Sequence, residues 1–167
     1  MADTIERFSD RVENYIRYRP GYPPQVVEYL RTKHGLTPDH VVADIGCGTG
    51  VSSLQFLENG NRVIGVEPNA AMRSAALRLN SVHALFTCVD GTSESIPLPD
   101  SSVDLVVAAQ AFHWFEPEAT RAEFRRILKP GGRIAFVTNE MYTVMGTRAD
   151  EYEHGRVVTQ LATISVD

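Results

Sequence analysis

Three glycines at alternate positions, Gly46, Gly48 and Gly50, stand directly behind the apolar run VVADI (41–45) and directly before a stretch of helical spacing. Glycine lets the chain turn tightly and bring bare backbone against a ligand, and a following helix N-terminus favours electronegative groups. Four more β-branched runs come after it: 62–66 (RVIGV), 84–89 (ALFTCV), 103–109 (VDLVVAA) and 133–138 (RIAFVT). Most lack polar alternation, as expected of strands covered on both faces of a parallel sheet. Helical stretches separate them. One follows the glycine loop with Leu54, Leu57 and a closing Gly60. A second opens at Asn69, a natural N-cap, and runs through Ala70, Met72, Ala75, Ala76 and Leu79. A third begins near Pro117 and ends in Lys129-Pro130-Gly131-Gly132. Alternation of this kind predicts βαβ units, right-handed crossovers and a doubly wound, mostly parallel α/β sheet.

Two helices are expected ahead of the sheet. Ile5, Phe8, Val12, Tyr15 and Ile16 fall at spacings of three and four, and Pro20 stops that helix. The next runs from Pro24 through Val26, Val27 and Leu30 to Gly35. The organisation is therefore 1–40 as N-terminal helices, 41–140 as the sheet core and 141–167 as a short C-terminal segment. In that last segment the run 157–166 reads as either a strand or a short helix. A length of 167 residues suits one domain. A net charge of −5 gives no pull toward nucleic acid or an anionic membrane. No apolar run approaches the ~20 residues a bilayer span needs, and the charged first residues do not read as a secretory leader. The expectation is a cytoplasmic chain. Two cysteines, Cys47 and Cys88, supply neither a disulfide framework nor a four-ligand zinc site, so no metal is expected.

The glycine loop has two close readings. A dinucleotide loop, G-x-G-x-x-G, needs its third glycine at 51, where Val51 stands. G-x-G-x-G behind an acidic residue is a different loop, and DIGCGTG (44–50) resembles the first motif of class I S-adenosylmethionine-dependent methyltransferases. Further segments agree in order: Glu67 in GVEPN, Asp90 and Gly91 in VDG, then IPLPD (96–100), VDLV (103–106), QAFHWF (110–115) and LKPGG (128–132). As a set they resemble the type 11 methyltransferase domain family over roughly residues 8–140. YIRYRPGYP (15–23) is similar to that family's cofactor lid.

The resemblance implies a Rossmann-like methyltransferase fold and S-adenosylmethionine as cofactor. Its binding residues would be Tyr15, Arg19, Asp44, Gly46, Cys47, Gly48, Gly50, Glu67, Asp90, Gly91 and Gln110. Carboxylates at strand ends suit that role, because ligands bind at the carboxyl ends of strands in open α/β sheets. Glu67 is assigned to the ribose diol and Asp90 with Gly91 to the adenine edge. Asp44 orients the loop amides or the methionyl amino group, and Tyr15 and Arg19 close over the methionyl end. For Cys47 and Cys88, packing outweighs chemistry. His113 follows the fourth strand, where the transferred methyl should point, as a general base or as a residue that lines the pocket or bonds a backbone carbonyl; Trp114 is a wall of the acceptor site or helix packing.

The family usually continues past the fifth strand with an antiparallel pair that closes the sheet. The 27 residues 141–167 do not read as that pair, so the chain is expected to lack it and to leave a sheet edge that invites pairing with a second copy. Two functions stay open: methyl transfer to a small-molecule acceptor, at oxygen, or a cofactor-binding module or inactive short form that acts through a partner.

Overall fold

Five of the expected runs become strands in the computed structural model, which describes residues 21–142 and 156–165, with side chains from 21 to 138. The order along the chain is α1 (Gln25–His34), β1 (Val41–Ile45), α2 (Val51–Glu58), β2 (Arg62–Val66), α3 (Ala70–Leu79) and β3 (Phe86–Val89). Then come β4 (Val103–Ala109), a 3₁₀ turn (Phe112–Trp114), α4 (Pro117–Ile127), β5 (Leu128–Tyr142) and β6 (Arg156–Ser165). The sheet order is β3-β2-β1-β4-β5-β6, parallel throughout except that β6 pairs antiparallel with β5. The reversal of direction of winding lies between β1 and β4, where crevices open at the strand ends.

The central strands β1 and β4 bury both faces, which is why polar alternation was missing from their sequences. On β1, Val42 joins a core formed with Val26, Leu30 and Phe56 of α1 and α2, while Ala43 and Ile45 join another built on Phe124 and Ile127 of α4. The caps fall where the residues put them. The Asn69 side chain accepts from the amides of Ala71 and Met72, and Gly35 ends α1 in the left-handed conformation at φ 67°. Two expected apolar positions face outward: Leu54 and Leu79 are exposed, and Phe56, Met72, Ala75 and Ala76 carry the helix packing.

Helix α4 stops at Ile127, ahead of the Lys129–Gly132 segment expected to end it. Pro130 disfavours a helical Lys129, and the chain is already extended at Leu128. The segment instead forms the irregular start of β5, with a register shift opposite Val103 and Leu105 and a left-handed Gly131. Asp104 ties two strand starts together there. Its Oδ2 accepts from the Val41 amide and from Lys129 Nζ, each at 2.8 Å.

The run beyond residue 156 is a strand. It pairs with β5 from Arg133↔Ser165 to Tyr142↔Arg156, so the C-terminal segment contributes one antiparallel strand and β5 is not the sheet's edge. The two edges are β3 and β6. β5 itself runs through position 140 to Tyr142.

Candidate active site

The three loop glycines all have positive φ: 70° at Gly46, 57° at Gly48 and 78° at Gly50. Side-chain-bearing residues adopt that region at a cost, and two of the positions also lack room. A Cβ on Gly46 would lie 2.6 Å from the Cβ of Ala111, and one on Gly50 would lie 2.5 Å from Nδ2 of the buried Asn80. The loop thus presses between the end of β4 and the end of α3. Its backbone is pinned to the neighbouring strand, since the amides of Gly46 and Cys47 both donate to the Val66 carbonyl.

Two carboxylates hold the loop from opposite sides. Asp44, fully buried, accepts from the hydroxyls of Ser52 and Ser53 on Oδ2 at 2.6 and 2.7 Å. Those serines open α2, so the last turn of β1 is bolted to the helix N-terminus. Glu67, buried at the end of β2, reaches across. Its Oε2 accepts from the Gly48 amide at 3.0 Å and its Oε1 from the Asn69 amide at 2.9 Å. Burial pushes the Glu67 carboxyl above its ordinary value, although those two amides and Arg73 pull the other way. Each oxygen keeps lone-pair capacity beyond the one N–H it accepts.

Asp90 follows the end of β3 directly. Its carboxylate is exposed and forms an ion pair with Arg73 Nη1 at 3.0 Å, and the same nitrogen donates to the Glu67 carbonyl at 2.8 Å. Arg73 therefore links the ends of β2 and β3. Gly91 has a packing reason of its own: a Cβ there would meet Pro97 Cδ at 2.6 Å and Val66 Cγ1 at 3.0 Å. At the end of β4, Gln110 sits at φ 58° while its amide donates to the Val137 carbonyl. The 3₁₀ turn then presents Phe112, His113 and Trp114, all exposed, with ring contacts from Phe112 to Phe136 and from His113 to Trp114.

A small recess lies against the loop, lined by Tyr22, Gly46, Cys47, Thr49, Val51, Ser52 and Ala109. The Thr49 hydroxyl is buried in its wall with no hydrogen-bond partner among the described residues. An orphaned hydroxyl of that kind ordinarily meets a ligand or water. The structure thus brings Asp44, Gly46, Cys47, Gly48, Gly50 and Glu67 into one loop-centred site. Asp90 and Gly91 follow the end of β3, Gln110 follows the end of β4, and His113 lies in the 3₁₀ turn after it. Tyr15 and Arg19 lie outside the described residues. Sequence reasoning missed Ser52, Ser53, Arg73 and Thr49. The serine pair was visible as two hydroxyls at the first turn of a helix behind a buried acid; Arg73 had no signal at all. Among the described residues no helix is long and apolar enough to cross a membrane, and no group of three or more His, Cys, Asp or Glu side chains is placed to hold a metal ion.

The sequence profile described as "Methyltransferase domain", type 11, matches residues 43–136, the span from β1 to β5 that builds this site. An uncharacterised methyltransferase of Mycobacterium tuberculosis is 37% identical over 132 residues, covering 79% of this chain and 51% of its own length. The YcgJ protein of Bacillus subtilis, a solved structure, is 28% identical with a TM-score of 0.62, over 70% of this chain and 50% of that one. Geranyl diphosphate C-methyltransferase from Streptomyces coelicolor, solved with S-adenosyl-L-homocysteine, shares the fold at 24% identity and a TM-score of 0.61, over 70% of this chain and 44% of its own. The chain spans about half the length of these relatives. With the profile covering more than half of its residues, the chain belongs to the type 11 methyltransferase domain family.

Proposed function

We propose that this chain binds S-adenosylmethionine on the glycine loop and transfers its methyl group to a small-molecule acceptor, at oxygen. The observation that carries the reading is the Glu67 carboxylate fixed across a three-glycine loop, with the Gly48 amide as its partner. The residues fit the cofactor by their chemistry. Glu67 keeps acceptor capacity for a ribose diol, and the bare loop admits close approach of a ligand.

When bound, the cofactor supplies an electrophilic methyl on a sulfonium sulfur, and its leaving group is a neutral thioether. The protein's share of the work is then mainly alignment and exclusion of water, which can account for several kcal/mol of the barrier (about 7–11 kcal/mol in favourable cases). Gly46, Gly48 and Glu67 hold one reactant. The exposed aromatic edge of Phe112, His113 and Trp114 beside the same strand ends offers a surface for an acceptor with an apolar part. His113 carries the ring nitrogen there that can take a proton from a hydroxyl acceptor, whereas an ionised carboxylate acceptor needs no base. Supplying the chain with S-adenosylmethionine and a panel of small carboxylic acids, alcohols and phenols should give a methyl ester or ether with equimolar S-adenosylhomocysteine. Cofactor binding with no product from any acceptor would instead favour a binding module that acts through a partner.

A further inference from the structure

Cys47 of the glycine loop and Cys88 of β3 are 41 positions apart in sequence, yet their sulfurs lie 3.6 Å from each other. Both are free thiols, Cys47 buried and Cys88 half-buried. A whole strand, β2, runs between the elements that carry them. They meet because its fourth residue is Gly65: a Cβ there would stand 2.6 Å from Cys47 Sγ and 3.2 Å from Cys88 Sγ. The two side chains together fill the notch that the glycine leaves. Gly65 has a negative or extended φ and no turn to make, so the notch itself is its structural use.

We propose that Cys47 and Cys88 are a site of reversible oxidative modification, forming a disulfide over Gly65 that locks the glycine loop to β3 and weakens cofactor binding. This rests, for its effect on the cofactor, on the function proposed above. The oxidant is a small hydroperoxide, which the half-buried Cys88 can meet. The Cys88 thiolate attacks one peroxide oxygen, the O–O bond breaks and hydroxide leaves, giving Cys88 sulfenic acid. Cys47 then attacks that sulfur, the S–O bond breaks, and the departing hydroxide combines with the Cys47 proton as water. In all, two thiols and one hydrogen peroxide give one disulfide and two waters. The roles follow from the surroundings: the bond to Cys88 and burial push the Cys47 thiol well up, so it serves as the resolving partner and not the first to react. Closing the sulfurs from 3.6 Å to a bond of about 2.05 Å draws Cys47 toward β3. That shifts the neighbouring Gly48 amide off Glu67, the contact on which the loop's shape depends.

The test treats the full 167-residue chain with graded hydrogen peroxide, then measures intact mass, a peptide map and S-adenosylhomocysteine binding by calorimetry. The expected result is loss of two hydrogens, a cross-linked peptide pair holding Cys47 and Cys88, and an affinity about tenfold lower, regained on reduction with dithiothreitol. That scale corresponds to one lost hydrogen bond to a charged group. Cys88→Ser should bind the ligand as well as the reduced chain does and ignore peroxide. No cross-link in folded protein, with Cys88 passing on to sulfinic acid, would overturn the proposal; so would a cross-link that leaves affinity unchanged. A reduced chain that fails to bind S-adenosylhomocysteine would count against the proposed function, and the mass spectrum would then decide the thiol pair alone.

Discussion

At the scale of single residues, the site depends on which side chains have no substitute. Glu67→Ala removes an acceptor from the Gly48 and Asn69 amides and from any bound ribose. It should weaken S-adenosylhomocysteine binding by about 1.5–3 kcal/mol, whereas Cys47→Ala, a small-for-small change, should cost little. Titration calorimetry on both variants checks this, and equal losses would show that the ribose contact lies elsewhere. Glycines can be sorted the same way. Gly46 and Gly131 both have φ above 70° or equal to it, but a Cβ on Gly46 meets Ala111 while one on Gly131 meets nothing within 4 Å. Gly46→Ala should therefore lower the denaturation midpoint clearly more than Gly131→Ala, whose cost should stay near the roughly 1 kcal/mol of backbone strain. The loop residues were legible in sequence because positive φ and missing space leave glycine little competition. Arg73 was not, since a helix-surface arginine gives no sign that its guanidinium will bridge the Glu67 carbonyl and the Asp90 carboxylate.

At the scale of elements, the loop 96–100 between β3 and β4 is clamped by one helix. Arg126 of α4 donates to the carbonyls of Ile96 and Leu98 and pairs with Glu123 and Asp100, while Glu123 accepts from the Ile96 amide. The Arg126 guanidinium holds the Glu123 carboxyl down at about 2. Its folded pKa is depressed, so the contribution is present above the ordinary glutamate value of 4.5 and is lost as pH falls from there toward 2. Urea midpoints measured across that window should fall with pH, and less steeply for Glu123→Gln; parallel slopes would contradict the clamp. Glu67 works in the opposite direction: its raised pKa means stability is full below 4.5 and decreases as pH rises through the folded value. Strands β1, β2 and β4 matched their apolar runs end for end because burial on both faces leaves a plain sequence signature. The end of α4 did not, because a Lys-Pro-Gly-Gly segment reads as a helix stop while its conformation, an irregular strand start, is set by pairing with β4. For the same reason the 157–166 run was ambiguous: only the partner β5 decides that it is extended.

At the scale of the whole molecule, the sheet ends in β3 on one side and β6 on the other among the described residues. Beyond β3 no further strand pairs among the described residues, and Leu77, Leu79, Val82 and Leu85 beside it are exposed, Val82 at 85%. An unpaired edge next to apolar surface favours association with a second copy. Sedimentation velocity should show reversible self-association that Val82→Glu with Leu85→Lys abolishes, and a concentration-independent monomer would count against it. β6 covers the flank that the sequence left open, so self-association through β5 is not expected. The central claim, that an acid-braced three-glycine loop on this sheet holds S-adenosylmethionine, is tested most directly by calorimetric titration of the 167-residue chain with S-adenosylhomocysteine and, separately, with NAD. The predicted result is saturable, single-site binding of S-adenosylhomocysteine that Glu67→Ala weakens, with no heat from NAD. Saturable NAD binding at the loop, with no response to S-adenosylhomocysteine, would contradict it.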